Sequence, residues 1–265
     1  MKIGFIGAGN MAQAIIDGLI KTGTVAAADI VIHGGTPAHY EAYAATSGVA
    51  TAPDNASVVA QSDVVVLAVK PRLASDIIAE IHAPLFDRRP VLVSLMTGVS
   101  ILQIEGYLGT KDYPLVRTMP NLNVAIGAGM TAYAANPAAQ PALAAVVGLF
   151  KALGETIPLA EAHFSTFVAL AGSSPAFVYL FIDALSRAGV KYGLTKAEAT
   201  KIAAQAVLGS GAMVLQSPDS PFDLIDKVSS PGGTTVAGLL AMEAAGFMGA
   251  VVTGVDATIA KDQED

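Results

Sequence analysis

Short runs of continuously apolar residues alternate with stretches of helical spacing along the first half of the chain. Continuous runs are typical of parallel strands that are covered by helices on both faces, and apolar residues three and four apart predict helices. Strands are predicted at 2–6, 30–33, 64–69, 90–95, 115–119 and 130–134, and helices at 10–21, at 37–47, from Pro71 onward and at 100–107. This alternation favours an α/β fold with a doubly wound parallel sheet.

The pattern changes after about Gly154, where we find no further strand of comparable quality. Alanine-rich segments of helical spacing follow at 161–171, 175–188, 196–215, 222–227 and 235–260. Glycines interrupt them at positions 189, 193 and 246, as expected between helices. We therefore predict two domains, an α/β domain at residues 1–155 and an all-helical domain at residues 156–265.

Composition narrows the classes of partner. Apolar residues make up 53% of the 265 residues but charged residues only 14%, against about 25% in a typical soluble protein. Much surface must therefore be buried, and a large interface between subunits is one way to bury it. The net charge of −7 and the absence of a basic cluster argue against nucleic acid as a partner.

The chain has no cysteine, which excludes disulfides and thiolate metal sites, and its four histidines are scattered, so we expect no metal. The uncharged stretch at 162–182 has the length of a membrane span. Gly172 and Pro175 interrupt it, however, and helices buried at an interface have the same hydropathy. Because the N-terminus also lacks a signal peptide, we expect a cytoplasmic protein with no membrane segment.

The first predicted strand leads into a glycine-rich turn of the form G-x-G-x-x-A, made by Gly7, Gly9 and Ala12. Gly7 permits the tight turn, Gly9 lets the backbone approach a pyrophosphate, and Ala12 allows close packing of helix on strand. The strand before the turn and the helix after it are the context that this motif requires. The sequence therefore predicts a Rossmann-type domain that binds a nicotinamide dinucleotide.

The end of the second predicted strand bears on the choice of cofactor. An acidic residue there would bind the ribose 2′-hydroxyl of NAD, but the chain reads His33, Gly34, Gly35 and Thr36. A 2′-phosphate is thus not repelled, although no arginine is present to bind it. The pattern favours NADPH and leaves NADH open.

A second candidate site lies at residues 229–235, Ser-Ser-Pro-Gly-Gly-Thr-Thr, just before a long predicted helix. Glycines and hydroxyls at a helix N-terminus can bind an anion such as a carboxylate. They can equally cap the helix, with Thr234 or Thr235 as the capping residue. No acid–base pair stands out in the chain, which is compatible with reduction of an already protonated C=N bond.

Five motifs in this order resemble the pyrroline-5-carboxylate reductase family: GAGNMA at 7–12, DN at 54–55, AVKP at 68–71, MPN at 119–121 and SPGGTT at 230–235. The resemblance spans nearly the whole chain. It implies reduction of 1-pyrroline-5-carboxylate to L-proline by NAD(P)H, the last step of proline biosynthesis. It also implies a homodimer with interlocked helical domains, a ring of such dimers, and an active site between one subunit's nicotinamide and its partner's helical domain.

The resemblance also implies roles for individual residues. Gly7, Gly9, Asn10 and Met11 would hold the pyrophosphate, Thr36 would lie at the adenosine end, and Asn55 would contact the ribose portion. Ala68, Lys70 and Pro71 would border the nicotinamide half, although Lys70 alone reads equally as a solvated charge. The substrate would contact Met119, Asn121, the Val228 carbonyl and residues Ser230, Gly232, Gly233, Thr234 and Thr235. The Thr235 hydroxyl would hydrogen-bond the ring nitrogen as the catalytic group.

The chain departs from the family pattern at two places. Leu122 and Asn123 stand where Thr-Pro is common, and Ser174 replaces a glycine. Reduction of another cyclic imine acid therefore stays open. Two other functions also stay open. One is a 3-hydroxyacid dehydrogenase, which would need a lysine near the substrate and could use Lys191 or Lys201. The other is a nucleotide-sensing protein without enzymatic activity.

Overall fold

The computed structural model describes residues 1–264 and contains eight strands within that range. They are β1 Ile3–Ile6, β2 Ile30–His33, β3 Ala50–Thr51, β4 Val64–Leu67, β5 Val91–Ser94, β6 Leu115–Pro120, β7 Gly129–Ala135 and β8 Gly154–Pro158.

Twelve α-helices lie within the same residues. They are α1 Asn10–Lys21, α2 Pro37–Ser47, α3 Asn55–Gln61, α4 Ala74–Arg88, α5 Ile101–Leu108, α6 Gln140–Lys151, α7 Phe164–Phe167, α8 Ser174–Lys191, α9 Lys196–Gln216, α10 Pro221–Lys227, α11 Thr234–Ala244 and α12 Phe247–Glu264. Short 3₁₀ turns occur at Ala27–Asp29, Pro71–Leu73, Leu122–Ile126, Pro137–Ala139 and Glu161–His163, and Val168–Ser173 is π-helical.

The strands form one sheet in the order β3-β2-β1-β4-β5-β6-β7-β8. The first six run parallel, β7 runs antiparallel to β6, and β8 runs parallel to β7. The predicted doubly wound sheet is thus confirmed, with two reversed strands at one edge. The order reverses between β1 and β4, and ligands of such sheets bind at the carboxyl ends of the strands beside this switch point.

The central strands show why continuous apolar runs predicted this sheet. All four residues of β4 are buried. Val64 and Val66 pack into the cluster that contains α1 and α6, whereas Val65 and Leu67 pack against α3, α4 and α5. Because alternate side chains enter different cores, neither face of the strand is polar.

The expectation that strands end before Gly154 is wrong. β8 pairs with β7 at the edge of the sheet, where it is largely exposed and therefore carries no apolar run. Gly154 has φ of +141°, and a Cβ there would lie 2.1 Å from the Gly129 carbonyl oxygen. The predicted boundary at 155/156 falls inside this strand. The compact units instead are Met1–Gly172, with the residues from Lys261 onward, and Ser173–Ala260.

The unit Ser173–Ala260 is entirely helical between its turns. A Ser186–Thr200 hydroxyl hydrogen bond of 2.9 Å joins α8 to α9, and a capping box of Thr195 and Glu198 starts α9. The single helix predicted at 235–260 is broken at Gly246, whose φ is +79°. The break divides it into α11 and α12, which are bent by 50°.

One helical stretch, Glu161–Lys191, is long and apolar enough to cross a membrane by length and composition, with a mean hydropathy of 1.6. The bent pair α11 and α12 passes the same test when the two helices are counted together. Helices that are buried against a partner subunit have the same composition.

Candidate functional site

The first site lies where β1 turns into α1, at the switch point of the sheet. The Gly7 N–H donates to the His33 carbonyl at 2.8 Å, and the Ala68 N–H donates to the Ile6 carbonyl at 2.8 Å. Gly7 has φ of +97°, and a Cβ there would lie 2.4 Å from the Ala68 carbonyl oxygen. No other residue fits this turn, because the conformation and the close approach both require glycine.

The N-terminus of α1 is suited to an anion. Its first helical hydrogen bond runs from the Gln13 N–H to the Gly9 carbonyl, and no side chain caps the helix. The N–H groups of Asn10, Met11 and Ala12 therefore lack helical partners. A Cβ on Gly9 would meet nothing within 4 Å, so the backbone is open on this side. The residues present thus fit a pyrophosphate at the positive end of the helix.

The carboxyl end of β2 leads to Thr36, the N-cap residue of α2. Its hydroxyl makes no capping hydrogen bond, and the residue is exposed. His33 is held by a 3.0 Å contact between Nδ1 and the Ala52 carbonyl, and its ring packs on Tyr40. A polar exposed residue thus stands where the adenosine end was predicted.

Asp54 and Asn55 begin α3. The Asp54 carboxylate accepts from the Ser57 N–H at 2.7 Å, and hydrogen bonds from Ser57 lower its pKa. Asn55 is buried and its Nδ2 donates to Glu80 at 2.9 Å. The sequence did not single out Glu80. This bond uses one of the two N–H groups of the Asn55 amide, so its other N–H and its side-chain oxygen are the groups that could serve a ribose.

After β4 the chain passes through Ala68 and Lys70 into the 3₁₀ turn that begins at Pro71. Ala68 is half-buried, and Lys70 and Pro71 are exposed. This segment follows the central strand next to β1, on the side of the switch point that faces β5. The predicted nicotinamide-side residues are therefore accessible at the carboxyl edge of the sheet.

The end of β6 brings Met119 to the same edge. Met119 is 6% exposed and packs with Phe164 and Phe167 of α7. The Thr97 hydroxyl, from the loop after β5, lies 3.8 Å from the Met119 sulfur. The sequence did not indicate Thr97 as a site residue, because a single threonine after a strand belongs to no recognisable motif.

Asn121 is 5% exposed, and both ends of its amide are used. Its Nδ2 donates to the Ala171 carbonyl at 2.9 Å, and its Oδ1 accepts from the Met130 N–H at 3.2 Å. The Asn121 side chain thus links the end of β6 to β7 and to the π-helical segment.

The second site is the segment 228–235, which comprises the loop between α10 and α11 and the first two residues of α11, and it is largely exposed. The Gly233 N–H donates to the Ser230 carbonyl at 2.9 Å, and Gly232 has φ of +69°. A Cβ on Gly233 would lie 2.4 Å from the Ser230 hydroxyl. Pro231 and Gly232 thus occupy the central positions of a tight turn that suits both residues.

The interpretation of Thr234 or Thr235 as a capping residue is wrong. The N-cap of α11 is Gly233, no side chain caps the helix, and both threonines are its first helical residues. The first helical bond comes from Ala237 N–H, so the N–H groups of residues 234–236 lack helical partners. Thr235 is thus an exposed residue in the first turn of a helix whose N-terminus has no side-chain cap.

Two family models match the chain. One is described as pyrroline-5-carboxylate reductase dimerisation and matches residues 161–265; the other is described as NADP oxidoreductase, coenzyme F420-dependent, and matches residues 2–98. Pyrroline-5-carboxylate reductase of Synechocystis is 37% identical over 265 residues, which cover 100% of this chain and 98% of the relative. The chain belongs to the pyrroline-5-carboxylate reductase family.

Solved structures agree with this assignment. The 1-pyrroline-5-carboxylate reductase from Streptococcus pyogenes matches with a TM-score of 0.88 and 38% identity, over 100% of this chain and 99% of that one. The Plasmodium falciparum enzyme, with NADP bound, matches with a TM-score of 0.89 and 28% identity, over 100% and 97% of the two chains. The chain is therefore an oxidoreductase with a Rossmann-type domain for a nicotinamide cofactor. Its helical part matches the family's dimerisation domain.

Proposed function

We propose that the chain reduces 1-pyrroline-5-carboxylate to L-proline, with NADPH as the hydride donor. The observation that carries the proposal is full-length identity of 37–38% with reductases of this name, in a chain that keeps two uncapped, glycine-rich helix termini. One terminus suits a pyrophosphate and the other suits a carboxylate.

The reaction is balanced by one hydride and one proton. When bound, the cofactor supplies a hydride from C4 of its nicotinamide ring to the carbon of the C=N bond. The ring nitrogen receives a proton and becomes the secondary amine of proline. No strong general acid is needed if the imine enters protonated, so orientation is the main task of the protein.

The chain's own residues supply that orientation. We assign the substrate carboxylate to the uncapped N–H groups at the start of α11, with Ser230, Gly232, Gly233 and Thr234 forming the walls and the Val228 carbonyl facing the ring. The Thr235 hydroxyl would hold the ring nitrogen through a hydrogen bond. Such a bond fixes the face of the C=N bond that meets the hydride.

The cofactor is assigned to the carboxyl edge of the sheet. Gly7, Gly9, Asn10 and Met11 would bind the pyrophosphate, and Asn55 would contact a ribose through its side-chain amide. Ala68, Lys70 and Pro71 would border the nicotinamide, with Met119 at the substrate end. NADPH is favoured over NADH because the end of β2 carries Thr36 and no carboxylate that would repel a 2′-phosphate.

A homodimer with paired helical domains completes the proposal, and several such dimers would form a ring. Support comes from the exposed apolar side chains of residues 173–260 and from the family's dimerisation domain. Pairing of these helices also accounts for their apolar composition without a membrane. We also propose that the protein is a cytoplasmic enzyme that acts on a small molecule and has no nucleic-acid partner.

The reaction is tested with purified protein by following oxidation of NADPH, with proline identified by chromatography. 1-Pyrroline-5-carboxylate is compared with a six-membered cyclic imine acid, and a 3-hydroxyacid is tested with NADP⁺. Proline formation with the highest kcat/KM for the five-membered imine is the expected result. A higher kcat/KM for either alternative substrate would replace the proposal with that reaction.

An active site formed by two subunits is tested by mixing two variants that each have little or no activity. A Gly9→Trp chain lacks a working cofactor site, and a Thr235→Ala chain lacks a working substrate site. If the 228–235 segment serves the partner's cofactor, mixed dimers contain one intact site and regain activity. If each chain forms its own site, every site in the mixture keeps one defect and no activity returns.

A further inference from the structure

The imidazole of His33, the last residue of β2, is the titratable side chain closest in sequence to the turn that suits the pyrophosphate. In a sheet of this kind, an acidic side chain at the carboxyl end of the second strand binds the 2′-hydroxyl of NAD. His33 pairs with Ile6 of β1, and its carbonyl accepts from the Gly7 N–H at 2.8 Å. His33 therefore occupies the position at which such an acid would stand.

The hydrogen bond of this imidazole determines which of its nitrogens carries the proton. Nδ1 lies 3.0 Å from the Ala52 carbonyl oxygen, and a carbonyl oxygen can only accept. Nδ1 is therefore the donor in the neutral ring as well as in the cation. It follows that Nε2 is an acceptor in the neutral ring and a second donor in the cation. His33 is half-buried, and its Nε2 makes no hydrogen bond to any of residues 1–264.

The two forms of the ring match the two cofactors. NADH presents a 2′-hydroxyl, which can donate to a neutral Nε2. NADPH presents a 2′-phosphate, whose anionic oxygens accept and are bound most strongly by a charged donor, such as the Nε2–H of the cation. A carboxylate at this position could serve the first cofactor and an arginine the second. Because an imidazole changes its charge near neutral pH, a histidine can serve both.

The groups that face the imidazole favour its cation. The Asp54 carboxylate, which precedes α3, interacts with the ring electrostatically. From α2, the Tyr40 ring packs on the imidazole with the centroids 5.3 Å apart. The turn at 7–11 carries no charged residue. Another histidine on these elements that could become a cation is His39, which is exposed on α2, so the test must separate it from His33.

We propose that His33 selects the cofactor by its protonation state. The imidazolium, with a proton taken from solvent, donates from Nε2 to the 2′-phosphate of NADPH, and the neutral ring accepts from the 2′-hydroxyl of NADH. The preference for NADPH then rises as the pH falls. This inference rests on the proposed function for the place of the cofactor, but it concerns binding and is tested without the imine.

The test measures the Kd values of NADP⁺ and NAD⁺, which have the same adenosine ends as the reduced forms, by titration calorimetry. The preference for NADP⁺ should be about fivefold greater at pH 6.5 than at pH 8.5, because a larger share of the protein can then form a charge-assisted hydrogen bond. At pH 7.5, binding of NADP⁺ should take up a fraction of a proton, which is read from the heats in two buffers of different ionisation enthalpy. Binding of NAD⁺ should take up none.

His33→Asn is the decisive variant. An asparagine amide keeps a donor near the Nδ1 position for the Ala52 carbonyl but has no equivalent of Nε2 and does not titrate. The variant should keep its melting temperature and lose both the proton uptake and the pH dependence of the preference. His82→Gln is the matched control, because His82 of α4 also contacts a backbone carbonyl, that of Leu108 at 3.3 Å. This control should change neither property.

Three results would overturn the proposal. They are the absence of proton uptake when the wild-type protein binds NADP⁺, an unchanged uptake in His33→Asn, and a loss of uptake in His39→Gln with none in His33→Asn. If His33→Asn does not fold, His33→Gln, which is neutral at every pH, is titrated in its place and should show the same losses. Normal proton uptake in a protein that makes no proline would support this inference and refute the proposed reaction alone.

Discussion

The two units of this chain differ in how they bury their apolar residues. In the unit built on the sheet, strands β1 and β4 are wholly buried and two clusters fill the space on either side. In Ser173–Ala260, the buried side chains are Ala199, Ala203 and Ser186, and long apolar residues such as Leu215 at 82% are exposed. The first unit therefore has a hydrophobic core of its own, whereas most apolar side chains of the second unit are exposed in the single chain.

This difference suggests how cofactor binding and substrate reduction are divided between the sheet unit and the helical unit. The glycine turn after β1 is held by backbone hydrogen bonds within one chain, such as that from the Gly7 N–H to the His33 carbonyl. Monomeric proteins rarely expose contiguous apolar patches beyond about several hundred Å², so the helical unit is expected to be ordered by a partner. Cofactor binding should then depend on one chain, and turnover on two.

The largest effect is expected from charge on the exposed helical face. Leu240, 60% exposed on α11, lines an apolar groove with Phe222 and Phe247. Leu240→Glu should dissociate the dimer and abolish turnover, at a cost of about 2 kcal/mol or more, as measured by sedimentation and by the NADPH assay. Leu102→Glu, on a residue 65% exposed in α5, should change neither. A dimeric, active Leu240→Glu enzyme would contradict the view that the helical unit needs a partner on this face.

Thr235→Ala is expected to lower kcat by about 100-fold, which is in the range for removing one side chain that hydrogen-bonds the reacting group. The Kd of NADPH should not change, because the cofactor turn lies in the other unit. Thr235→Ser retains the hydroxyl and should retain most of the rate. Equal rates in the alanine and wild-type enzymes would remove Thr235 from the mechanism.

Substitutions of the two glycines in the first turn should have different effects, one on the stability of the fold and the other on cofactor binding. Gly7→Ala places a Cβ 2.4 Å from the Ala68 carbonyl oxygen at positive φ and should destabilise the fold by about 2 to 5 kcal/mol. Gly9→Ala meets no protein atom within 4 Å, so its melting temperature should be unchanged. Its affinity for NADPH should fall by about tenfold, since the backbone must approach the pyrophosphate. Fluorescence titration and thermal denaturation measure both, and normal affinity in Gly9→Ala would contradict the assigned cofactor site.

The smallest effect concerns the choice of cofactor. Because no carboxylate ends β2, kcat/KM with NADPH should equal or exceed that with NADH. Thr36→Glu should reverse the order by repelling the 2′-phosphate, by about tenfold. A strong preference of the wild-type enzyme for NADH would contradict the assignment of Thr36.

The sequence predicted those elements whose local residue pattern directly reflects their burial or their capping in the fold. β1, β4 and β5 are apolar because both faces are buried, and Ser100 forms the capping box that starts α5. β8 was missed because an exposed edge strand needs no apolar run, and its place depends on pairing with β7. The division near Gly172 was not predicted as a boundary. The sequence indicated an interruption at Gly172 and Pro175, but the helical stretch Glu161–Lys191 continues through it.

The candidate site was predictable where a motif fixes the backbone, as at Gly7 and Gly9. It was not predictable where a role depends on contacts between distant segments. The bond from Asn55 to Glu80 and the contact of Thr97 with Met119 join separate loops, and neither spacing nor composition reports them. Asn121 shows the same limit, since its motif points to the site but its partner, Ala171, is known only from the fold.

The most direct test of the account follows the hydride itself. The purified protein is incubated with 1-pyrroline-5-carboxylate and NADPH that carries deuterium at nicotinamide C4 on the transferred face, and proline is analysed by mass spectrometry and NMR. We expect one deuterium per proline, located on the carbon that was part of the C=N bond. Unlabelled proline, or oxidation of NADPH without proline, would contradict direct reduction of this imine.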